Sequence, residues 1–374
     1  MIIKNINCNL VAIFINAKIE KMIKVLRILL LPFSILYGLL MLLRRKLFNI
    51  GLLKRHIFDF PIICIGNISL GGTGKTPHTE YLIRLLKSNF KIATLSRGYG
   101  RKTKGYVLAT STHSAEEIGD EPMQYKSTFY DEIDVAVCEN RVTGINNLLA
   151  LEVKPDIILL DDAYQHISVK AGLNILLTDY YNLYVNDYVI PTGTLREFKS
   201  NAKYAEVIVV TKCPKVLSPM IVKSMIAKIK PLSHQKICFS YYKYGEIIPL
   251  TECADKNAKL NFSQLLMVTG IANPYPLKEY LKDNCFELHT ITFSDHHSFS
   301  IKDLNKIIYN FDSIFSKNKA IIITQKDAMR LNSEKFKHLI KDLPIYYIPL
   351  EVKFHKNYES IFNKMILNYV NKKK

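Results

Sequence analysis

Gly66-Asn67-Ile68-Ser69-Leu70-Gly71-Gly72-Thr73-Gly74-Lys75-Thr76-Pro77 is the stretch that decides the fold. It follows the apolar run Pro61-Ile62-Ile63-Cys64-Ile65, which predicts a buried strand, and precedes residues 78–86, whose apolar positions recur at helical spacing. Strand, Gly-rich loop, Gly-Lys-Thr and helix together predict a P-loop. Backbone N–H groups of Ser69, Leu70, Gly71, Gly72, Thr73, Gly74, Lys75 and Thr76, with the helix N-terminus behind them, would cradle a polyphosphate. Lys75 would reach the β- and γ-phosphates and the Thr76 hydroxyl would ligate Mg²⁺. The usual pattern puts its first glycine at the position held here by Ser69, but glycines 71, 72 and 74 leave the turn its freedom. The bland alternative is a Gly-rich turn that binds nothing, and the flanking strand and helix argue against it.

The chain of 374 residues is 48% hydrophobic and 22% charged, enough to bury a core and too apolar for a disordered chain. Its net charge of +18 favours an anionic partner: nucleic acid, an acidic lipid surface or a phosphorylated substrate. The seven cysteines are scattered without a C-x-x-C pair, which reads as reduced, buried thiols and as neither a zinc site nor a disulfide framework.

Residues 28–43 carry no charge, with Lys21, Lys24 and Arg27 before them and Arg44, Arg45 and Lys46 after. The run is slightly shorter than the roughly 18 residues of a comfortable span, and it contains Pro32 and Gly38. Basic residues at both ends suit anionic headgroups, so an interfacial or shallowly inserted anchor on the cytoplasmic face is the favoured reading, ahead of a full span or a buried helix. Arg-Arg-Lys after the run, in place of a small-residue cleavage site, argues against a secretory signal.

Apolar, β-branched runs at 91–95, 135–138, 156–160, 174–178, 207–211, 265–269, 320–324 and 344–348 predict strands. Helical patterns at 79–87, 141–152, 219–229, 276–282 and 301–316 lie between many of them, and 180–205 reads as an irregular loop. The alternation predicts an α/β fold: a mostly parallel sheet covered on both faces, with a second, smaller α/β domain. The expected division is an extension at 1–21, a membrane-anchoring helix at 22–46, a P-loop core at 47–212 and a smaller domain at 213–374. The last helical part of that domain is a candidate to return to the core.

Further motifs follow the P-loop. Asp156-Ile-Ile-Leu-Leu-Asp161-Asp162-Ala163-Tyr164-Gln165-His166 has the form of a strand that ends in Mg²⁺-binding carboxylates, with Asp161 or Asp162 able to serve. Ile118-Gly119-Asp120-Glu121-Pro122 places two carboxylates in what reads as a stiff loop, where a base or positioning group for the nucleophile could sit. Leu95-Ser96-Arg97-Gly98-Tyr99-Gly100-Arg101-Lys102 and Pro191-Thr192-Gly193-Thr194-Leu195-Arg196-Glu197 offer cations for phosphate. Phe293-Ser294-Asp295-His296-His297-Ser298-Phe299 sets two histidines beside a carboxylate, and Thr324-Gln325-Lys326-Asp327 ends a strand.

In this order, and joined by Leu-Pro-Phe-Ser-Ile-Leu-Tyr-Gly at 31–38 and Thr-Gly-Ile-Ala-Asn-Pro at 269–274, these segments resemble the tetraacyldisaccharide 4′-kinase family of lipid A biosynthesis. The resemblance runs from about residue 22 to 330, and residues 1–21 have no counterpart. Where the family has Gly-Phe or Gly-Tyr, this chain has Ala163-Tyr164. The resemblance implies a membrane-associated P-loop kinase of a Gram-negative bacterium, bound through its N-terminal helix to the cytoplasmic side of the inner membrane. It would transfer the γ-phosphate of ATP to the 4′-hydroxyl of a tetraacylated glucosamine disaccharide 1-phosphate, giving lipid IVA. By motif, Asp120 would form a dyad with His296, Glu121 and Asp162 would join Thr76 on Mg²⁺, and Arg97, Arg101, Arg196 and Glu197 would line the substrate and phosphate site. The partner is then an acylated disaccharide phosphate lipid and not nucleic acid.

Two other readings make different demands. A regulatory GTPase needs Asn/Thr-Lys-x-Asp to read guanine, which Thr324-Gln325-Lys326-Asp327 does not match. A nucleic-acid-dependent ATPase accounts for the positive charge and leaves the apolar N-terminal run unexplained.

Overall fold

The computed structural model describes residues 2–295, 297–332 and 334–373. Among them the strands form a nine-stranded sheet, a five-stranded sheet and a two-stranded pair. In spatial order the large sheet runs Leu350–Phe354, Lys236–Tyr244, Val207–Thr211, Leu173–Asp179, Ile62–Gly66, Ile157–Asp161, Ile92–Ser96, Ile133–Val137 and Val107–Leu108. Its interior pairs are all parallel; antiparallel pairs occur only at the two ends.

The apolar runs form these strands because a parallel sheet clothed on both faces buries every position. Ile62–Gly66 is buried throughout, and its alternate side chains divide between two cores. Ile63 and Ile65 pack with Leu82 and Leu86 of the helix Lys75–Leu86, while Ile62 and Cys64 pack with Ile145 and Leu148 of the helix Arg141–Leu149. Ile62–Gly66 lies at the centre, with Ile157–Asp161 on one side and Leu173–Asp179 on the other. From it the chain crosses first to Ile92–Ser96 and later to the opposite flank, so the topological switch point, where open α/β sheets bind ligands, is at its C-terminal end.

The five-stranded sheet runs Ile248–Pro249, Ile345–Ile348, Lys319–Thr324, Phe262–Thr269 and Cys285–Thr292 and is parallel apart from its first pair. Leu277 and Leu281 cover one face; Leu304, Ile307 and Phe311 cover the other.

Three sequence expectations need correction. The strand Lys236–Tyr244, expected in the smaller unit, lies in the large sheet, paired with Val207–Thr211 and Leu350–Phe354. The chain leaves the large sheet along this strand and comes back along Leu350–Phe354; the helix Asn357–Lys373 then buries Phe362, Ile366 and Val370 in the main core. Gly-Asp-Glu-Pro is not a loop: Asp120 and Glu121 open the helix Asp120–Phe129, whose first turn has no intrahelical use for the N–H that Pro122 lacks. Finally, one helix, Ile2–Asn49, covers the expected extension and anchor together, with no break at Met22.

The segment Leu26–Asn49 of that helix is long and apolar enough to cross a membrane, and little of it is buried. Leu29, Phe33, Leu36, Leu40 and Leu43 are exposed. Its other face docks on the 191–197 loop. Ser34 Oγ donates to Thr192 Oγ1 at 2.6 Å and accepts from Thr192 N at 2.9 Å. A side chain at Gly38 would collide with the Phe198 ring, so the glycine is what lets the helix approach. Arg45 reaches Glu197 at 2.7 Å, and both side chains are buried. Removing one partner from a buried ion pair strands a charge and costs about 3–5 kcal/mol, whereas replacing both with apolar groups is often neutral. Arg45→Met should therefore lower the melting temperature in detergent more than Arg45→Met/Glu197→Met does; a double variant that loses the sum of both single losses would contradict this.

Candidate active site

The P-loop is built around two left-handed glycines. Gly71 has φ 98° and Gly74, the N-cap of Lys75–Leu86, has φ 90°. Gly74 has no side chain to cap the first-turn N–H groups, and the first turn of the helix holds no acidic residue. The space in front of Gly71 and Gly72 is open for 4 Å around a notional Cβ. The departure at Ser69 has a local cause. Ser69 bridges Leu195 in extended pairing, with Leu70 N bonded to Thr194 O and Arg196 N to Ile68 O, each at 2.7 Å. The loop thus begins as strand, which needs no glycine.

Buried polar contacts brace the loop from behind. Asn67 Nδ2 donates to Thr73 Oγ1 at 2.8 Å, and Thr211 Oγ1 donates to Thr73 O at 2.9 Å. His78 bonds Gly74 O through Nδ1 at 2.7 Å and Ser240 Oγ through Nε2 at 2.9 Å. Burial drives its pKa down to about 4, so the ring is neutral; Nδ1 carries the proton, since a carbonyl can only accept.

The two adjacent aspartates have separate surroundings. Asp161, 3% exposed, accepts from Tyr125 Oη at 2.8 Å; burial and the Asp162 charge raise its pKa to about 6. Asp162 has left-handed backbone, φ 48°, which turns it out of the strand towards Lys75 Nζ at 3.6 Å and Arg196 Nη1 at 3.2 Å. Burial pushes its carboxyl up, but Lys75 and Arg196 outweigh burial and hold it below the ordinary range. Of the pair, Asp162 is the one that faces the P-loop lysine.

Asp120 and Glu121 sit at a helix N-terminus, which favours carboxylates. Asp120 Oδ2 accepts from Arg330 Nη2 at 2.5 Å and Nε at 3.1 Å, and Glu121 Oε1 accepts from Lys326 Nζ at 2.7 Å. Burial raises the Glu121 carboxyl, yet Lys326 brings it below its usual value. The Glu121 and Lys75 charges both act on Asp161, which puts the two acidic motifs in one electrostatic neighbourhood.

The other sequence-derived candidates are distributed unevenly. Arg97 is exposed at the end of Ile92–Ser96, and Arg196 lies beside Asp162 and Gln165. Arg101 is turned to Glu139 and Gly105 O, both at 2.6 Å, and holds its own turn together. Glu197 is engaged by Arg45 and Asn201. His296 lies outside the described residues. His297 stacks on Phe293 at 4.4 Å and bonds Asp303 at 3.1 Å, within the cap of the helix Ile301–Asp312.

Sequence reasoning missed Tyr125, Gln165, His78, Lys326 and Arg330 as members of this constellation. Gln165 follows the acidic strand end, and its Nε2 donates to Asn67 O at 2.7 Å. Arg141, also missed, is 1% exposed, bonds Cys138 O at 2.5 Å, and has its Nε and Nη2 without a partner among the described residues, beside a cavity of about 450 Å³ that His166 also lines.

Comparison with known proteins gives the family. The family model described as Tetraacyldisaccharide-1-P 4'-kinase matches residues 26–369. A tetraacyldisaccharide 4'-kinase of Flavobacterium johnsoniae is 46% identical over 349 residues, covering 92% of this chain and 97% of that protein. One from Bacteroides thetaiotaomicron is 41% identical over 355 residues, covering 91% and 92%. The crystal structure of LpxK from Aquifex aeolicus in complex with ATP superposes with a TM-score of 0.68 at 25% identity, covering 92% of this chain and 99% of that one. The chain belongs to the tetraacyldisaccharide 4'-kinase family.

Proposed function

We propose that this chain transfers the γ-phosphate of ATP to the 4′-hydroxyl of a tetraacylated glucosamine disaccharide 1-phosphate, forming lipid IVA in lipid A biosynthesis. The observation that carries the reading is the junction of three features. The P-loop, the Lys75–Asp162–Arg196 charge cluster and the docking site of an exposed apolar helix all meet on the 191–197 loop. A lipid substrate and a nucleotide need that adjacency.

N–H groups of Ser69, Gly71, Gly72, Gly74, Lys75 and Thr76 hold the polyphosphate, since Leu70 N and Thr73 N, expected to join them, are spent on Thr194 O and Gly71 O, and Lys75 neutralises charge on the group in transfer. Thr76, Glu121 and Asp162 are hard oxygen donors that would hold Mg²⁺, which would neutralise charge developing on the phosphates. The 4′-oxygen bonds the γ-phosphorus as the bond to the β–γ bridging oxygen breaks, and the 4′-hydroxyl proton passes to His296, oriented by Asp120. Arg97 and Arg196 supply cations to phosphate. Arg101 and Glu197 serve the same site by holding the loops that carry it, Glu197 through Arg45.

The relatives come from Gram-negative bacteria. The exposed apolar face between basic flanks supports attachment to the cytoplasmic face of the inner membrane, where ATP is available. A protein lacking residues 2–21 should stay with membranes, and one lacking residues 2–45 should leave them. If the shorter protein still sediments with membranes after a high-salt wash, this helix is not the anchor.

Asp120→Ala and His296→Ala should each lower kcat by roughly 10²–10⁴-fold, the usual range for general-base help. The double variant should be little worse than the poorer single one, since groups acting as a unit lose activity non-additively. His297→Ala should lower stability more than kcat, because its ring is spent on Phe293 and Asp303. A kcat for the His297 variant below that of the His296 variant would show that the other histidine is the base.

A further inference from the structure

The carboxylates of Gly-Asp-Glu-Pro belong to the large-sheet unit, yet their cations come from the five-stranded unit. Lys326 and Arg330 lie on the helix Gln325–Leu331, which directly follows the strand Lys319–Thr324. Two more contacts cross the same seam: Gln325 Nε2 to Thr128 Oγ1 at 2.9 Å, and Ser127 Oγ to Met329 Sδ at 3.0 Å.

Arg330 is the most constrained member. Its Nη1 donates to Gly270 O at 3.2 Å and to Asp327 Oδ1 at 3.3 Å. Asp327 is 0% exposed and is itself fixed, accepting from Gly270 N at 3.1 and 3.2 Å and from Thr324 Oγ1 at 2.6 Å. Gly270 and Thr324 follow or end the adjacent interior strands Phe262–Thr269 and Lys319–Thr324, so the brace is anchored in the sheet. The opposite edge of the guanidinium, Nε and Nη2, is presented to Asp120. Both of those bonds fall on Oδ2. A rigid, oriented fork is what fixing the plane of another carboxylate requires.

We propose that Arg330, braced by Asp327, is a positioning residue for phosphoryl transfer: it fixes the Asp120 carboxylate so that Asp120 can orient the base that takes the acceptor proton. The inference rests on the reading of Asp120 as half of the catalytic dyad. It assigns the second unit a specific task, to carry the brace that sets the geometry of a carboxylate on the first. A misplacement of about 1 Å at a reacting centre can cost about 10²-fold in rate, which sets the expected scale.

The test is a double-mutant cycle on the full chain with ATP and the lipid acceptor at saturation, with the KM for ATP measured alongside. Arg330→Gln should lower kcat about 10²-fold with the KM for ATP within about threefold of the parent. Arg330→Lys keeps the charge without the fork and should recover only part of the loss. In an Asp120→Asn background, Arg330→Gln should cost less than about threefold more, because its effect acts through Asp120. Losses that multiply would overturn the proposal, as they would show Arg330 acting on the phosphoryl group or elsewhere. An Arg330→Gln protein with kcat within about threefold of the parent would overturn it as well. If Arg330→Gln does not fold, the same cycle with Arg330→Lys decides between the same outcomes. A near-normal Asp120→Asn enzyme would instead remove the dyad reading itself, and so is distinguishable from a failure of the arginine.

Discussion

Two backbone hydrogen bonds, Leu70 N to Thr194 O and Arg196 N to Ile68 O, sew the entry of the P-loop to the 191–197 loop. Much of the site's geometry follows from that stitch. On one side it sets Arg196 beside Asp162. On the other it presents Thr192 and Glu197 to the N-terminal helix, where Ser34 and Arg45 meet them. One short loop therefore fixes the separation between a polyphosphate cradle and an exposed apolar helix. A reaction between a soluble nucleotide and a lipid needs the two sites held side by side in this way.

Charge is arranged to suit an incoming anion. Lys75 stands 3.6 Å from Asp162, a looser contact than the 2.7 Å pairs at Arg45–Glu197 and Lys326–Glu121. A polyphosphate carries more charge than one carboxylate and can claim the lysine, which under the proposed reading would free Asp162 for Mg²⁺. Asp161, beside it, is committed to Tyr125 and shielded from solvent, so identical neighbours in sequence do different work. The left-handed backbone at Asp162 is what separates them.

Much of this was legible in the sequence where burial is uniform. Val207–Thr211 and Ile157–Asp161 are buried throughout, and their apolar runs predicted them to within a residue. Lys236–Tyr244, Leu350–Phe354 and Cys285–Thr292 were not legible. Each is partly exposed and mixes charged with apolar residues, which weakens the pattern that marks a buried strand. Pro122 hid a helix because a proline in a first turn looks the same in sequence as one in a loop. The P-loop could be read as a contiguous motif. The Arg330–Asp120 contact spans 210 residues, and no local pattern encodes a partner so distant.

Lipid phosphorylation is tested most directly by incubating the purified full chain in detergent with Mg²⁺, γ-labelled ATP and tetraacyl disaccharide 1-phosphate, with a Lys75→Ala protein alongside. Label should appear in a lipid bearing a new phosphate at the 4′ position, in step with ADP release, and Lys75→Ala should lose this by orders of magnitude. Label recovered only as inorganic phosphate, or a folded Lys75→Ala protein of near-normal activity, would contradict the assignment.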